Sequence, residues 1–209
     1  FPKLFTAAEL PVSGFAIVNP GSSVASVTFT LYSAAGAVVS TSTQSIPAAG
    51  QQAKSGNEIF STLGSGGWVR ATSTTTGLQG FWLNYAGDIS YIDGAEAAGS
   101  ALDEVIPLIA NNAEINVANP NASTNSVTIR LFGDAGTELG TAVTQSIAAN
   151  GVYQGTAAAL FPSASLTEAR YARVTGSAPV AATALLEVHL LAQMGVMVVQ
   201  VLLYLDTVS

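Results

Sequence analysis

The sequence predicts an all-β protein made of two copies of one antiparallel β-sandwich domain. Three observations lead to this fold class. They are an internal repeat of about 100 residues, segments in which apolar and polar residues alternate, and glycine-containing turns between those segments. Only 9% of the 209 residues are charged and 49% are hydrophobic, which excludes an intrinsically disordered chain.

The repeat appears as matched landmarks in the two halves of the chain. The segment that ends in Asn19-Pro20 is echoed by the segment that ends in Asn119-Pro120. Further matches follow at offsets of 100 to 103 residues: Val27 with Val127, Leu31 with Leu131, Gly36 with Gly136, Ile59 with Leu160, and Trp68 with Tyr171. Because the landmarks run through most of each half, the sequence predicts two tandem copies of one domain.

The start of each copy fixes the predicted domain boundary. Phe1–Phe5 and Val105–Ile109 are apolar segments that contain a proline, which suits the first residues of a strand. The predicted first repeat is therefore residues 1–103, which include an acidic, glycine-rich linker at 87–103. The predicted second repeat is residues 104–209, which end in an apolar strand at 196–205.

Alternation of apolar and hydroxyl side chains identifies the strands. Val27–Leu31 and Val127–Leu131 alternate with period two, as half-buried strands do, and a turn that ends in glycine follows each of them. Short helical turns are expected at 57–63 and 156–160. Further strands are expected at 38–45, 67–73 and 79–85 in the first copy, and at 139–147, 170–176 and 182–189 in the second.

The strand and turn pattern resembles the tandem immunoglobulin-like or fibronectin-like β-sandwich repeats of bacterial extracellular proteins. The marks of the resemblance are an apolar strand ending in Asn-Pro, a Val-Thr-x-x-Leu strand, a glycine turn and a short apolar-Phe turn. They stand at Asn19-Pro20, Val27–Leu31, Gly36 and Ile59-Phe60, and again at Asn119-Pro120, Val127–Leu131, Gly136 and Leu160-Phe161. The resemblance implies spacers, stalks, adhesive parts or assembly units, without shared catalytic residues.

The C-terminal tail departs from the repeat. Residues 196–205 are nearly all apolar, and an apolar strand of this kind is buried on both faces. Two interpretations remain open: the tail is the last core strand of its own domain, or it pairs with or inserts into a neighbouring subunit. A membrane-spanning helix is the less favoured third interpretation, because Gly195 interrupts the apolar stretch and no basic flank follows it.

Head-to-tail assembly is the functional hypothesis that joins the repeat to the tail. If the end of one molecule meets the start of the next, the internal junction recurs between molecules and forms a filament. The predicted assembly residues are therefore at both ends of the chain: Phe1, Leu4, Phe5, Val196, Val198, Val199, Val201, Leu203 and Leu205. The sequence thus predicts a homopolymeric structural subunit of an extracellular filament or surface fibre.

Charge and motif content exclude other classes of function. The net charge is −7 and only six residues are Lys or Arg, so no basic surface is available for nucleic acid. His189 is the only histidine, there is no cysteine, and no nucleophile elbow, phosphate loop or zinc-protease motif is present. The sequence therefore predicts no enzyme activity, no catalytic residues, no cofactor and no metal site.

The alternative hypothesis is an extracellular carbohydrate-binding or adhesion module whose partners are cell-surface glycans. Its platform consists of the aromatic residues concentrated in the first copy: Trp68, Trp82, Tyr85 and Tyr91. The alignment of Trp68 with Tyr171 and of Trp82 with Leu185 favours core or interface packing for the two tryptophans instead. An extracellular or cell-surface location is expected in either case. The chain is free of cysteine and begins at Phe1 rather than Met, which suggests a secreted protein whose signal peptide has been removed.

Overall fold

The computed structural model describes residues 1–85, 92–107 and 113–185. Within these ranges the chain forms fourteen β-strands and two helices of four residues each. Every strand pair among them is antiparallel. The predicted all-β class with antiparallel sheets is therefore confirmed.

The first eight strands, here called the first half, form two four-stranded sheets. They are β1 (Phe5–Thr6), β2 (Gly14–Asn19), β3 (Ala25–Tyr32), β4 (Val38–Ile46), β5 (Gly50–Ser55), β6 (Gly66–Thr72), β7 (Gln79–Tyr85) and β8 (Ile92–Glu96), with helix α1 (Gly56–Ile59) after β5. The strand orders are β1-β6-β3-β4 and β5-β2-β7-β8. Val27 and Phe29 from one sheet meet Phe15 and Trp82 from the other in one buried cluster, so the core lies between the sheets.

The remaining strands, here called the second half, share one long strand. They are β9 (Ala101–Pro107), β10 (Glu114–Ala118), β11 (Asn125–Gly133), β12 (Val143–Ile147), β13 (Val152–Thr156) and β14 (Ala169–Leu185), with helix α2 (Ala157–Leu160) after β13. The order is β12-β11-β14-β10-β13, and β9 also pairs with β14. The predicted boundary between residues 103 and 104 lies inside β9.

The 17-residue strand β14 differs from the prediction of two separate strands at 170–176 and 182–189. Its first part pairs with β11 and its last part, Ala181–Leu185, pairs with β10. In the first half the segments that correspond to these two parts of β14 are the separate strands β6 and β7. There Gly77, at φ 77°, turns the backbone, whereas no residue of 176–180 has a positive φ, so the chain continues extended.

The alternating pattern is confirmed in the pair of strands that carried the prediction. Val27 and Leu31 of β3 are buried, and so are their counterparts Val127 and Leu131 of β11. The intervening side chains point away from the core and are partly exposed. One face of each strand therefore supplies the core, as period-two alternation requires.

A buried asparagine links two strands that are not neighbours in the sheets of each half, β2 to β4 and β10 to β12. Asn19, at the end of β2, donates from its amide nitrogen to the carbonyls of Ser23, Ile46 and Pro47 at 2.8, 3.2 and 3.0 Å. Asn119 makes the corresponding bonds to Ser123, Ile147 and Ala148 at 2.8, 3.1 and 2.9 Å. Both asparagines are fully buried, so the amide replaces the water that these carbonyls would otherwise bind.

Substitution Asn119→Ala is expected to lower the free energy of unfolding by about 1–3 kcal/mol, because it leaves buried carbonyls without a donor. Asn19→Ala is expected to have an effect of the same size. Urea unfolding followed by far-UV circular dichroism measures both. The matched control is Ser123→Ala, which keeps the backbone carbonyl and alters only an exposed side chain. A loss no larger than that of the control would contradict the role of Asn119.

Candidate functional site

The two halves meet through different surfaces. One end of the first half, formed by residues 3–4, 32–36 and 68–70, lies against the outer face of strands β10 and β13. Trp68 and Leu4 pack there against Ala118 and Val152. Leu185, at the end of β14, is buried in the core cluster of the first half. The side of β10 that faces away from its own core is therefore covered by the first half.

A stacked aromatic pair forms the centre of this contact. Tyr32 on β3 lies opposite Trp68 on β6, and their ring centroids are 5.4 Å apart with an interplanar angle of 22°. The indole N–H of Trp68 donates to the carbonyl of Asn150 at 2.7 Å. Trp68 is only 2% exposed, so it combines apolar burial with a directional bond to the second half.

The turn after β3 brings backbone against backbone. The N–H of Val152 donates to the carbonyl of Ala34 at 3.1 Å. Gly36 adopts φ +88°, and a Cβ at this position would lie 1.9 Å from the carbonyl oxygen of Ala149. Glycine is therefore required at position 36 both by its own backbone conformation and by the second half.

Polar groups near the start of the chain extend the contact. The N–H of Leu4 donates to Oδ1 of the buried Asn116 at 3.0 Å. The ammonium group of Lys3 lies 3.3 Å from Glu9 and 3.6 Å from Glu114, so it bridges a carboxylate of each half. Arg70 adds a further bond, from its guanidinium to the carbonyl of Pro120 at 3.0 Å.

The charge of Glu9 is set by its surroundings. Burial raises the pKa of the Glu9 carboxyl, but the hydrogen bond from the Thr6 N–H and the charge of Lys3 outweigh it, so the pKa is lowered from its ordinary 4.5. Glu9 also accepts from the amide of Asn84 at 2.9 Å. The carboxylate therefore remains ionised beside Lys3 at neutral pH.

The predicted assembly residues at the start of the chain are occupied within the chain itself. Phe1 and Phe5 belong to the core of the first half, where both rings make edge-to-face contacts with Phe15 at centroid distances of 5.3 and 5.4 Å. Leu4 lies in the contact between the halves. The predicted assembly residues at 196–205 lie outside the described residues.

The aromatic platform of the carbohydrate hypothesis is divided by the fold. Trp68 and Trp82 are both buried, at 2% and 0% exposure, so neither presents a ring face to a sugar. The indole N–H of Trp82 has no hydrogen-bond partner among the described residues. The side chain of Tyr85 and all of Tyr91 lie outside the described part of the chain. The two tryptophans therefore serve packing rather than glycan stacking.

One acidic residue of the predicted linker is held by an ion pair within the described residues. Asp103 pairs with Arg173 on β14, and the hydrogen bond from that guanidinium lowers the pKa of the Asp103 carboxyl. Among residues 1–85, 92–107 and 113–185, no group of three or more His, Asp or Glu side chains is placed to hold a metal ion. The helices in the same ranges have four residues each, too few to cross a bilayer.

Comparison with protein-family models, with curated proteins and with solved structures gives no match for this chain. The resemblance to immunoglobulin-like repeats therefore stays a prediction that depends on the motifs in the sequence.

Sequence reasoning missed this contact, although differences between the two copies mark it. Asn116 stands where the first copy has Ala16, and Ala118 stands where it has Val18. In the structure the outer face of β10 is buried, whereas Val18 is 36% exposed. The available signal for the contact was a change in polarity or size at outward-facing strand positions between two otherwise matched copies.

Substitution Trp68→Phe is expected to loosen the contact between the halves by about 0.5–1.5 kcal/mol, because it removes the hydrogen bond to Asn150 and keeps an aromatic ring. Hydrogen exchange at the Val152 amide, which is bonded across the contact, should accelerate. The matched control is Tyr171→Phe, at the counterpart position, which should leave this exchange rate unchanged. Equal acceleration at the Gly56 amide, bonded to Ser13 inside the first half, would contradict the assignment.

The Glu9 network is expected to lose strength in acid. The pKa of Glu9 is lower in the folded chain than its ordinary 4.5. Its contribution to stability is therefore full above pH 4.5 and disappears as the pH falls through the folded pKa. Urea unfolding at a series of pH values should show a smaller acid loss for Glu9→Gln than for the unaltered chain. Identical pH dependences would rule the network out as a source of acid sensitivity.

Proposed function

We propose that this protein is a structural subunit of an extracellular filament or surface fibre. In this proposal each half is an immunoglobulin-like β-sandwich domain, and copies of the chain join head to tail. No catalytic group, cofactor or metal takes part in this function. The partner of each molecule is another molecule of the same chain.

The observation that carries the proposal is the contact between the two halves. It joins one end of the first half to a sheet face of the second half, so the two contacting surfaces are different. Contacts between different surfaces of like units do not pair off as a symmetric dimer interface does, and they extend into a fibre unless the rotation closes a ring. A chain whose two similar halves already meet in this way supports a head-to-tail mode of growth.

Composition supports the same function. A charged fraction of 9% is far below the roughly 25% of ordinary soluble domains. Such a surface is poorly suited to a dispersed monomer and better suited to a subunit that buries part of its surface in neighbours. The absence of cysteine, together with the resemblance to bacterial extracellular repeats, supports an extracellular location without disulfide bonds.

Particle size as a function of protein concentration tests the proposal. The chain should form particles heavier than 21.1 kDa that grow with concentration and reach no fixed size, as measured by multi-angle light scattering and electron microscopy. A species of 21.1 kDa at every concentration would contradict the proposed function.

A shortened chain that ends at Gln193 separates two modes of assembly. If residues 196–205 are donated to a neighbour as a strand, this variant should remain folded but stay monomeric. If subunits join through the surfaces of their folded halves, the shortened chain should still assemble. Circular dichroism of the shortened chain checks that its sheets are retained.

A further inference from the structure

We infer that a second copy of this chain docks its Phe132–Tyr171 pair onto the outer face of β2, and so repeats between molecules the contact that joins the halves within one. The inference rests on the proposed function and specifies the surfaces that it uses. The docking element is the end of the second half that carries Phe132, Tyr171 and the turn at 133–136. The receiving face is the side of β2 and β5 that carries Val18 and Gln51.

The docking element repeats the geometry that already makes the internal contact. Phe132 and Tyr171 lie opposite each other across β11 and β14, as Tyr32 and Trp68 do across β3 and β6. Their ring centroids are 5.0 Å apart with an interplanar angle of 10°. Tyr171 is partly exposed, whereas its counterpart Trp68 is buried by the second half. This pair therefore has the shape of the internal docking element, and its surface is still accessible.

The turn that contains Gly36 is covered by the second half, whereas the matching turn that contains Gly136 is open. Gly136, at φ +70°, corresponds to Gly36 in the first half. A Cβ at Gly36 would clash with the backbone of the second half at 1.9 Å. Among the residues that the structure describes, a Cβ at Gly136 would meet only the hydroxyl oxygen of Tyr171, at 3.9 Å. The turn at 133–136 thus keeps the conformation of the internal contact and has room for a partner.

The receiving face is the counterpart of the face that the first half covers. Val18 on β2 lies directly opposite Gln51 on β5, just as Ala118 on β10 lies directly opposite Val152 on β13. Val18 therefore corresponds to Ala118, and Gln51 corresponds to Val152. Val18 is 36% exposed, whereas Ala118 is completely buried. Gln51 is exposed, whereas Val152 is buried.

The backbone of the receiving face offers the acceptor that a docking hydroxyl group requires. Ala49 corresponds to Asn150, and both residues adopt the left-handed conformation, at φ 49° and 54°. In the internal contact the carbonyl of Asn150 accepts the indole N–H of Trp68. Ala49 is exposed, and the hydroxyl group of Tyr171 is the donor that replaces the indole.

The receiving face is also apolar enough to hold aromatic rings. Phe81 on β7, 44% exposed, lies next to Ala16 and Val18 on the same side of the sheet. A shallow groove runs along these three side chains beside Glu96. Adjacent exposed apolar side chains on one sheet face are typical of a surface that binds a partner.

The contact between molecules is expected to be weaker than the internal one. Gly14 and Ala16 replace Glu114 and Asn116, so the receiving face has no counterpart of the acceptors for Lys3 and for the Leu4 N–H. Fewer polar bonds across otherwise similar surfaces favour reversible association.

Two single variants and their mixture test the inference. Val18→Lys places an ammonium group on the receiving face, and Tyr171→Lys places one on the docking element. Each variant alone should stay near 21.1 kDa in light scattering, because every chain then lacks one of its two surfaces. An equimolar mixture should form a complex of twice that mass and no larger, because each variant still carries the surface that the other lacks.

The control is Val24→Lys, which adds the same charge to a side chain that is 63% exposed. Its counterpart Thr124 is exposed in the second half, so this variant should assemble like the unaltered chain. Urea unfolding of all variants checks that each remains folded. Should a variant fail to fold, Phe81→Lys replaces Val18→Lys and Phe132→Lys replaces Tyr171→Lys.

The outcomes separate the inference from the proposed function. Assembly that survives both Val18→Lys and Tyr171→Lys would overturn these surfaces and leave the filament proposal standing. A monomeric unaltered chain would overturn both proposals. If the chain shortened after Gln193 assembles while the full chain does not, the tail of the same molecule covers the receiving face, which also overturns the inference. If Val18→Lys and Tyr171→Lys are each monomeric and their mixture forms a dimer, the contact is established.

Discussion

The structure depends on one buried amide in each half. Asn19 and Asn119 stand at the ends of β2 and β10, and their side chains donate to the carbonyls at the ends of β4 and β12. The carbonyls of Ile46 and Ile147 are buried away from water, so each requires a donor inside the protein. A short amide-bearing side chain at the strand end meets this requirement, which accounts for the recurrence of Asn at the same place in both copies.

The two halves share this internal order but differ at their surfaces. The face of β10 that points away from its own core carries Asn116 and Ala118 and is buried by the first half, while the matching face of β2 carries Ala16 and Val18 and is accessible. Similarly, the end of the first half that carries Trp68 is covered, and the end of the second half that carries Tyr171 is accessible. Each of these two surfaces, the outward strand face and the aromatic end, therefore occurs twice in the molecule. One copy is buried in the contact between the halves and the other is at least partly exposed.

Several elements could be predicted because the physics that forms them is local. Alternation in Val27–Leu31 and Val127–Leu131 indicated which faces are buried, and the short helical turns near residues 57 and 157 are present as α1 and α2. The continuous strand β14 was predicted as two strands. Its course depends on whether the backbone turns between 176 and 180, and no residue pattern there required either outcome.

The sequence by itself determined the all-β class, the repeat and the core faces of the strands, because alternation and turn chemistry act between near neighbours. Only the tertiary structure decided which outward faces are covered. The sequence favours core or interface packing for Trp68 but does not say which partner it meets; the structure packs it against Ala118 and Val152 and places its indole N–H on the carbonyl of Asn150, 82 residues away. Such a contact depends on how one folded half lies against the other, and period-two patterns carry no information about that placement.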